Sequence, residues 1–195
     1  MTAIPHSGPP RQLRPTDVKR LNRDWRRRTE GRLALLLERA PAPPPGGDLL
    51  DLGCGYGPIA CVLGARSPGA TVWAVDVNER ALSLCARNAA AAGLGNVRCV
   101  PPDSPDIPRE LAGIWSNPPV RIGKAPLHDL LRGWLSRLAP DAGASLVMGR
   151  NLGADSLHAW LEQEGWSVTR LAARSGYRLL QVSSPYPERT RGDSR

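Results

Sequence analysis

The stretch Asp51-Leu-Gly-Cys-Gly-Tyr-Gly57 restricts this chain more than any other. It follows on the expected first strand, Asp48–Leu52. Its glycines at 53, 55 and 57 let a chain leave a strand in a sharp turn and bring bare backbone against a ligand. Strand, glycine turn, helix is the opening unit of a doubly wound α/β sheet, and the rest of the chain alternates to match. The pattern predicts further strands at Thr71–Val75, Asn96–Val100, Ala112–Ser116 and Ala144–Met148. Helices are expected at Pro58–Arg66, Asn78–Ala92, Leu127–Leu138 and Ala154–Glu164, with closing strands at Ser167–Ala172 and Arg178–Val182. The expected fold is a Rossmann-like α/β sheet of seven strands, mostly parallel, with an antiparallel terminal strand pair.

What surrounds this unit sets the domain organisation. Residues 1–15 hold four prolines and no apolar periodicity, and are expected to be disordered. Residues 16–47 form a basic helical extension: Thr16 can cap a helix through Val18, Leu21 and Trp25, and Leu33 to Arg39 can resume it. Pro41-Ala-Pro-Pro-Pro-Gly-Gly47 then separates the extension from the domain at 48–186. A charged tail, 187–195, follows. The 195 residues carry a net charge of +8, and residues 1–40 contribute ten Arg/Lys against four Asp/Glu, or +6. That distribution favours a polyanionic partner, although a solvated basic arm is the plain alternative. No apolar run approaches the roughly 18 residues of a membrane span. The four cysteines lack metal or redox spacing, so a cytoplasmic protein with free thiols is expected.

The glycine turn itself discriminates between cofactors. A dinucleotide fingerprint, G-x-G-x-x-G, would need its third glycine at Pro58. Asp51 ends the strand beneath the loop, where it would repel a pyrophosphate but suit an ammonium and a sulfonium. S-adenosylmethionine is therefore expected, against a purely structural turn. Asp76 ends the second strand, where an acid can accept both ribose hydroxyls or simply cap the next helix. Asp103, with Asp106 as its competitor, follows the third strand and can accept from an adenine amino group. With Cys54, Tyr56, Val77 and Asn78 these residues make up the expected cofactor-binding set.

Ser116-Asn-Pro-Pro-Val120 supplies the second signal. The lone pair of an exocyclic base amine is delocalised into its ring, so the nitrogen must become tetrahedral before it can be methylated. Two acceptors on its protons achieve this: the Asn117 side-chain oxygen and the Pro118 carbonyl, converged by two prolines that fix the backbone. Asn117 would border both cofactor and substrate. No strong base is needed, because catalysis is mainly orientation and preorganised electrostatics. A strand ending in Asn-Pro-Pro is the structural alternative.

Residues 48–183 resemble the methyltransferase small-domain family through Asp51-Leu-Gly-Cys-Gly-Tyr-Gly-Pro58, Asp76-Val-Asn78, Ser116-Asn-Pro-Pro119 and Gly123-Lys124. The resemblance implies the class I methyltransferase fold, S-adenosylmethionine as cofactor, and the roles given to Asn117 and Pro118. The family's best-known members methylate guanine N2 in bacterial ribosomal RNA, so RNA, and ribosomal RNA in particular, is the implied partner. A protein glutamine amide is the alternative substrate, and a non-catalytic RNA-binding subunit the alternative class. This chain departs from the family in three ways. Val120 stands where many amino-methyltransferases place an aromatic that stacks on the base. A second, degenerate recognition domain has no room in 195 residues. The Gly-Val-Phe-Ser stretch usual upstream is replaced by Arg26-Arg-Arg-Thr-Glu-Gly31. Substrate binding is therefore expected from Pro119 and Val120 together with Arg121 and Lys124, which can hold phosphates beside the base.

Overall fold

A computed structural model describes residues 31–184. The expected features of residues 1–30 and 185–195, among them the Trp25 helix, Arg26–Arg28 and the charged tail, lie outside the described residues. Strands β1 (Gly46–Leu52), β2 (Gly69–Val75), β3 (Val97–Val100), β4 (Gly113–Ser116), β5 (Gly143–Gly149), β6 (Ser167–Arg174) and β7 (Tyr177–Ser183) form one sheet. Its order is β3-β2-β1-β4-β5-β7-β6. Only β7 runs against its neighbours, pairing antiparallel with both β5 and β6.

Helices cover both faces, which is why the central strands are apolar in unbroken runs. Leu49 and Leu50 in β1 are both fully buried, one on each face. On one face α1 (Gly31–Arg39), α2 (Pro58–Arg66) and Cys85 of α3 (Glu79–Ala91) pack on Leu49, Val72, Ala74, Trp115, Val147 and Leu179. On the other, α4 (Lys124–Leu135) and α5 (Ala154–Gln163) pack on Leu50, Leu52, Ile114, Leu146 and Leu180. Helix α1, grouped with the extension on sequence, thus belongs to the core: Leu35 and Leu36 are buried. Truncating Leu36 to Ala should cost about 2–5 kcal/mol, as for a buried leucine generally.

One helix of the domain differs from its sequence expectation by more than two residues at an end. Helix α4 begins at Lys124 rather than Leu127, because Pro126 falls in the first turn, where its missing N–H costs nothing. It also ends at Leu135, three residues before the expected Leu138. The β3–β4 crossover, residues 101–112, has no helix. It is held instead by Arg137, which stacks 4.6 Å over Trp134 and donates to the Ile107 and Pro108 carbonyls.

The chain leaves β1 toward β2 and β3, then returns to the other side for β4 and β5. The direction of winding reverses between β1 and β4. In open α/β sheets the crevice above the carboxyl ends of such a strand pair is where ligands bind. The two sequence motifs are the loops that leave these two strand ends.

Candidate active site

The loop after β1 is built from backbone bonds. Gly53 and Cys54 both donate to the Val75 carbonyl, at 2.8 and 3.0 Å. Gly53, Gly55 and Gly57 have φ of 75°, 55° and 86°, in the left-handed region that side chains disfavour. At Gly57 space forbids a side chain as well, since an added Cβ would run into the Cys85 thiol. At Gly55 an added Cβ would meet nothing within 4 Å. This is the bare backbone facing the crevice.

Two acids brace the loop. Asp76, half-buried, accepts from the Gly55 N–H through one oxygen and from the Asn78 N–H through the other, both at 2.9 Å. Asn78 caps α3, its side chain accepting from the Arg80 N–H. The capping alternative for Asp76 is therefore met one step removed, and each of its oxygens keeps a lone pair for a ribose hydroxyl. Asp51 is fully buried beneath the turn. One of its oxygens accepts from the Ala60 N–H at 2.8 Å, capping α2, whose N-cap Gly57 has no side chain. The other oxygen has no partner among the described residues. Burial pushes this carboxyl up to about 7; the Ala60 hydrogen bond opposes the shift and the charge of Asp76 adds to it.

The remaining cofactor residues follow the rim outward. Cys54 is buried, and Tyr56 is partly exposed with its carbonyl taking the Asn88 amide. Val77 is 86 % exposed, a bare apolar side chain beside Asp76. Asp103 sits exposed in the turn after β3, its carboxylate unbonded among the described residues. Two strand spacings, about 10 Å, separate β3 from β1, a span that suits an adenosine.

The second motif meets the first directly. Ser116 is fully buried and its hydroxyl donates to the Leu52 carbonyl at 2.7 Å, tying the end of β4 to the end of β1. An added Cβ on Gly53 would lie 3.9 Å from the Asn117 carbonyl and 4.0 Å from Pro119 Cδ. Pro119, at φ −76° and ψ 73°, is the centre of an inverse γ-turn in which the Val120 N–H donates to the Pro118 carbonyl at 2.9 Å. That carbonyl keeps one lone pair. The half-buried Asn117 side chain makes no hydrogen bond among the described residues, so its full bonding capacity is available.

Past the γ-turn the chain makes a short 3-10 turn, Val120–Ile122. Val120 packs half-buried against the core, whereas Ile122 is 46 % exposed. Arg121 and Lys124 are exposed. Ser116, Cys85 and Ile122 have no role that their sequence positions alone reveal. Ser116 lay inside the motif, but its bond spans 64 residues and leaves no local signal.

Residues 30–181 match the family model described as the methyltransferase small domain. The chain belongs to that family. YbxB of Bacillus subtilis (strain 168), an uncharacterized protein, is 32 % identical over 76 % of this chain and 75 % of its own length. Ribosomal RNA small subunit methyltransferase C of Pseudomonas aeruginosa (strain UCBPP-PA14) is 34 % identical over 76 % of the chain, which spans only 45 % of that relative. Release factor glutamine methyltransferase of Thermosynechococcus vestitus is 31 % identical over 76 % of the chain and 53 % of its own length. Among solved structures, the Thermus thermophilus 16S rRNA N2 G1207 methyltransferase (RsmC), in complex with AdoMet and guanosine, superposes with a TM-score of 0.64. It is 22 % identical, over 80 % of this chain and 43 % of that one. The likeness supports the class I fold.

The protein is thus an S-adenosylmethionine-dependent methyltransferase. The residues present fit that cofactor: a buried carboxylate oxygen without a partner among the described residues, a glycine backbone with open space beside Gly55, and an acid with free lone pairs beside an exposed valine. No helix among the described residues is long and apolar enough to cross a membrane.

Proposed function

We propose that this methyltransferase modifies an exocyclic base amine in RNA, with guanine N2 of ribosomal RNA as its target. The observation that carries the reading is the approach of Asn117-Pro-Pro to the glycine turn, whose Asn117 carbonyl and Pro119 Cδ lie 3.9 and 4.0 Å from where a Cβ on Gly53 would stand. That approach lets an amine held at one loop face a methyl held at the other. S-adenosylmethionine, when bound, supplies that methyl as an electrophile on a sulfonium.

The protein's own residues do the rest. The Asn117 side-chain oxygen and the remaining lone pair of the Pro118 carbonyl accept the two amine protons, drawing the nitrogen lone pair out of conjugation with the ring. Positioning of this kind can contribute several kcal/mol without any strong base. Asp51 faces the cofactor's positive end, and Asp76 and Val77 face its ribose. Asp103 reaches its adenine edge. Pro119 and Val120 border the base, while Arg121 and Lys124 hold neighbouring phosphates. The net charge of +8 supports RNA over a protein amide.

The test is transfer of labelled methyl from S-adenosylmethionine into a lysate of cells lacking the gene, followed by nuclease, protease and nucleoside analysis. Nuclease-sensitive label appearing as N2-methylguanosine is the expected result. Label released only by protease would move the target to a glutamine amide. Cofactor binding with no transfer to any fraction would point to an assembled or specialised substrate absent from the lysate.

A further inference from the structure

Six large apolar side chains are exposed among the described residues: Tyr56, Val77, Leu84, Ile122, Leu152 and Leu171. Four of them stand on the rim, one on each loop that leaves the carboxyl ends of β1, β2, β4 and β5. Tyr56 and Val77 lie on the cofactor half. Ile122 and Leu152, 46 % and 53 % exposed, lie on the other.

The two loops that carry this second pair are built alike. Each is a three-residue 3-10 turn, Val120–Ile122 after β4 and Arg150–Leu152 after β5. Each ends on a glycine of positive φ, Gly123 at 97° and Gly153 at 93°, from which a helix starts at once. Each presents an aliphatic side chain at its third position with exposed cations close by in the chain, Arg121 and Lys124 around Ile122 and Arg150 before Leu152. A single exposed leucine is ordinary. The same arrangement on two neighbouring loops of one crevice is a surface.

The register of the sheet places that surface beside the clamp. Ser116, the last residue of β4, pairs with Leu146, and β5 continues three residues further to Gly149. Strand β5 therefore rises about 10 Å above the end of β4. A Cβ on Gly149 would stand 3.1 Å from Leu152 Cδ1, so glycine there lets Leu152 fold back over the strand end next to the clamp. An amine held by Asn117 and Pro118 must face the β1 loop to meet the methyl. The ring that bears the amine then extends away from β1, over the ends of β4 and β5.

We infer that Ile122 and Leu152 are substrate-binding residues that pack on the flat face of the target base. The inference rests on the RNA reading above and deepens it. Val120 is half-buried against the core, and the contact that an aromatic at that position would make passes to the two aliphatic side chains. Aliphatic contact rewards the area it covers and demands no alignment of rings. A flat ring with phosphates near it fits an apolar pair set among cations, whereas a glutamine side chain brings neither a ring face nor a charge.

The experiment uses the full-length chain and ribosomal RNA, free and in subunits, from cells lacking the gene. It compares wild type with Ile122→Ser, Leu152→Ser and Ile122→Phe. Leu84→Ser on α3 and Leu171→Ser on β6 make the same change at exposed side chains away from the rim. Ile122→Ser and Leu152→Ser should each raise KM for RNA about fivefold or more, with calorimetric affinity for S-adenosylmethionine within about twofold of wild type. Ile122→Phe, which supplies a stacking ring, should lower KM about fivefold. The two control variants should leave KM within about twofold of wild type. Unchanged KM in Ile122→Ser and Leu152→Ser, an equal rise in the controls, or a raised KM in Ile122→Phe overturns the inference and leaves the RNA reading intact. Wild-type transfer to protein and not to RNA overturns the RNA reading, and the inference with it.

Discussion

The two loops that meet at the crevice are built on opposite plans. Over β1 and β2 almost every polar group is already committed to the fold. Asp76 holds Gly55 and Asn78, Asp51 holds Ala60, and the thiol of Cys85 fills the space behind Gly57. Over β4 and β5 the backbone is fixed by prolines and by the Ser116 bond. The side chains of Asn117, Arg121, Lys124 and Arg150 make no bonds to other described residues. A site for an invariant small ligand can be rigid to the last hydrogen bond. A site for a large partner keeps its side chains free until the partner supplies their bonds.

Substitutions should separate the two plans. The largest effect is expected at Asn117→Ala. It should lower turnover by about 10²–10³-fold or more, as loss of one preorganised catalytic partner does elsewhere. Calorimetric affinity for S-adenosylmethionine should stay nearly unchanged. Loss of cofactor binding in this variant would merge the two regions into one. Gly57→Ala should act in the opposite sense, through the fold. A positive φ and a collision with Cys85 together should cost about 2–3 kcal/mol, read from chemical denaturation; a loss under about 0.5 kcal/mol would show that α3 yields easily there.

Asp51 gives a smaller effect that depends on pH. With its carboxyl near 7 in the free protein, the group takes up a proton as pH falls, whereas a cationic ligand favours the carboxylate. Cofactor affinity should therefore weaken about tenfold per pH unit below 7, with proton release on binding, and Asp51→Asn should flatten the profile. The sign for folding is reversed. A folded-state value above the ordinary 3.8 makes the free protein less stable as pH rises from about 4 to 7. Titrations showing affinity independent of pH would remove Asp51 from the cofactor's charged end. Smallest is Ser116→Ala, which should cost about 1 kcal/mol of stability. It should also lower kcat with little change in either KM, because it loosens the clamp relative to the loop without touching a ligand. An unchanged kcat would make the bond purely structural.

The same division explains what could be read from sequence. The β1–β2 half was legible because its function is written in backbone demands. Glycine is the residue that best tolerates the left-handed conformations at 53, 55 and 57, and a strand-end acid leaves a single letter at a fixed place. The sheet, too, followed from apolar runs broken by glycine and proline, and each strand boundary fell within two residues of its expected position. Helix α4 was misplaced because Gly-Lys-Ala-Pro reads as a loop until one sees that a first-turn proline loses no hydrogen bond. The extension's last helix was severed from the core because a proline-rich connector looks the same whether or not the helix before it packs back. Ser116 and Cys85 act across 64 and 28 residues respectively, distances at which one sequence carries no signal. Val120, proposed to border the base, is also half-buried against the core, and Ile122 beside it is exposed.

The consecutive prolines have a consequence beyond rigidity. From Asn117 through Pro119 the main chain carries three carbonyls and a single N–H, because proline has none to give. The mouth is thus a polarity filter made by subtraction. A substrate edge that presents hydrogens finds acceptors there, and an edge that presents oxygens finds almost no backbone donor to meet it. A fold used for methylating many kinds of atom would in this way be narrowed toward amines before any side chain is consulted.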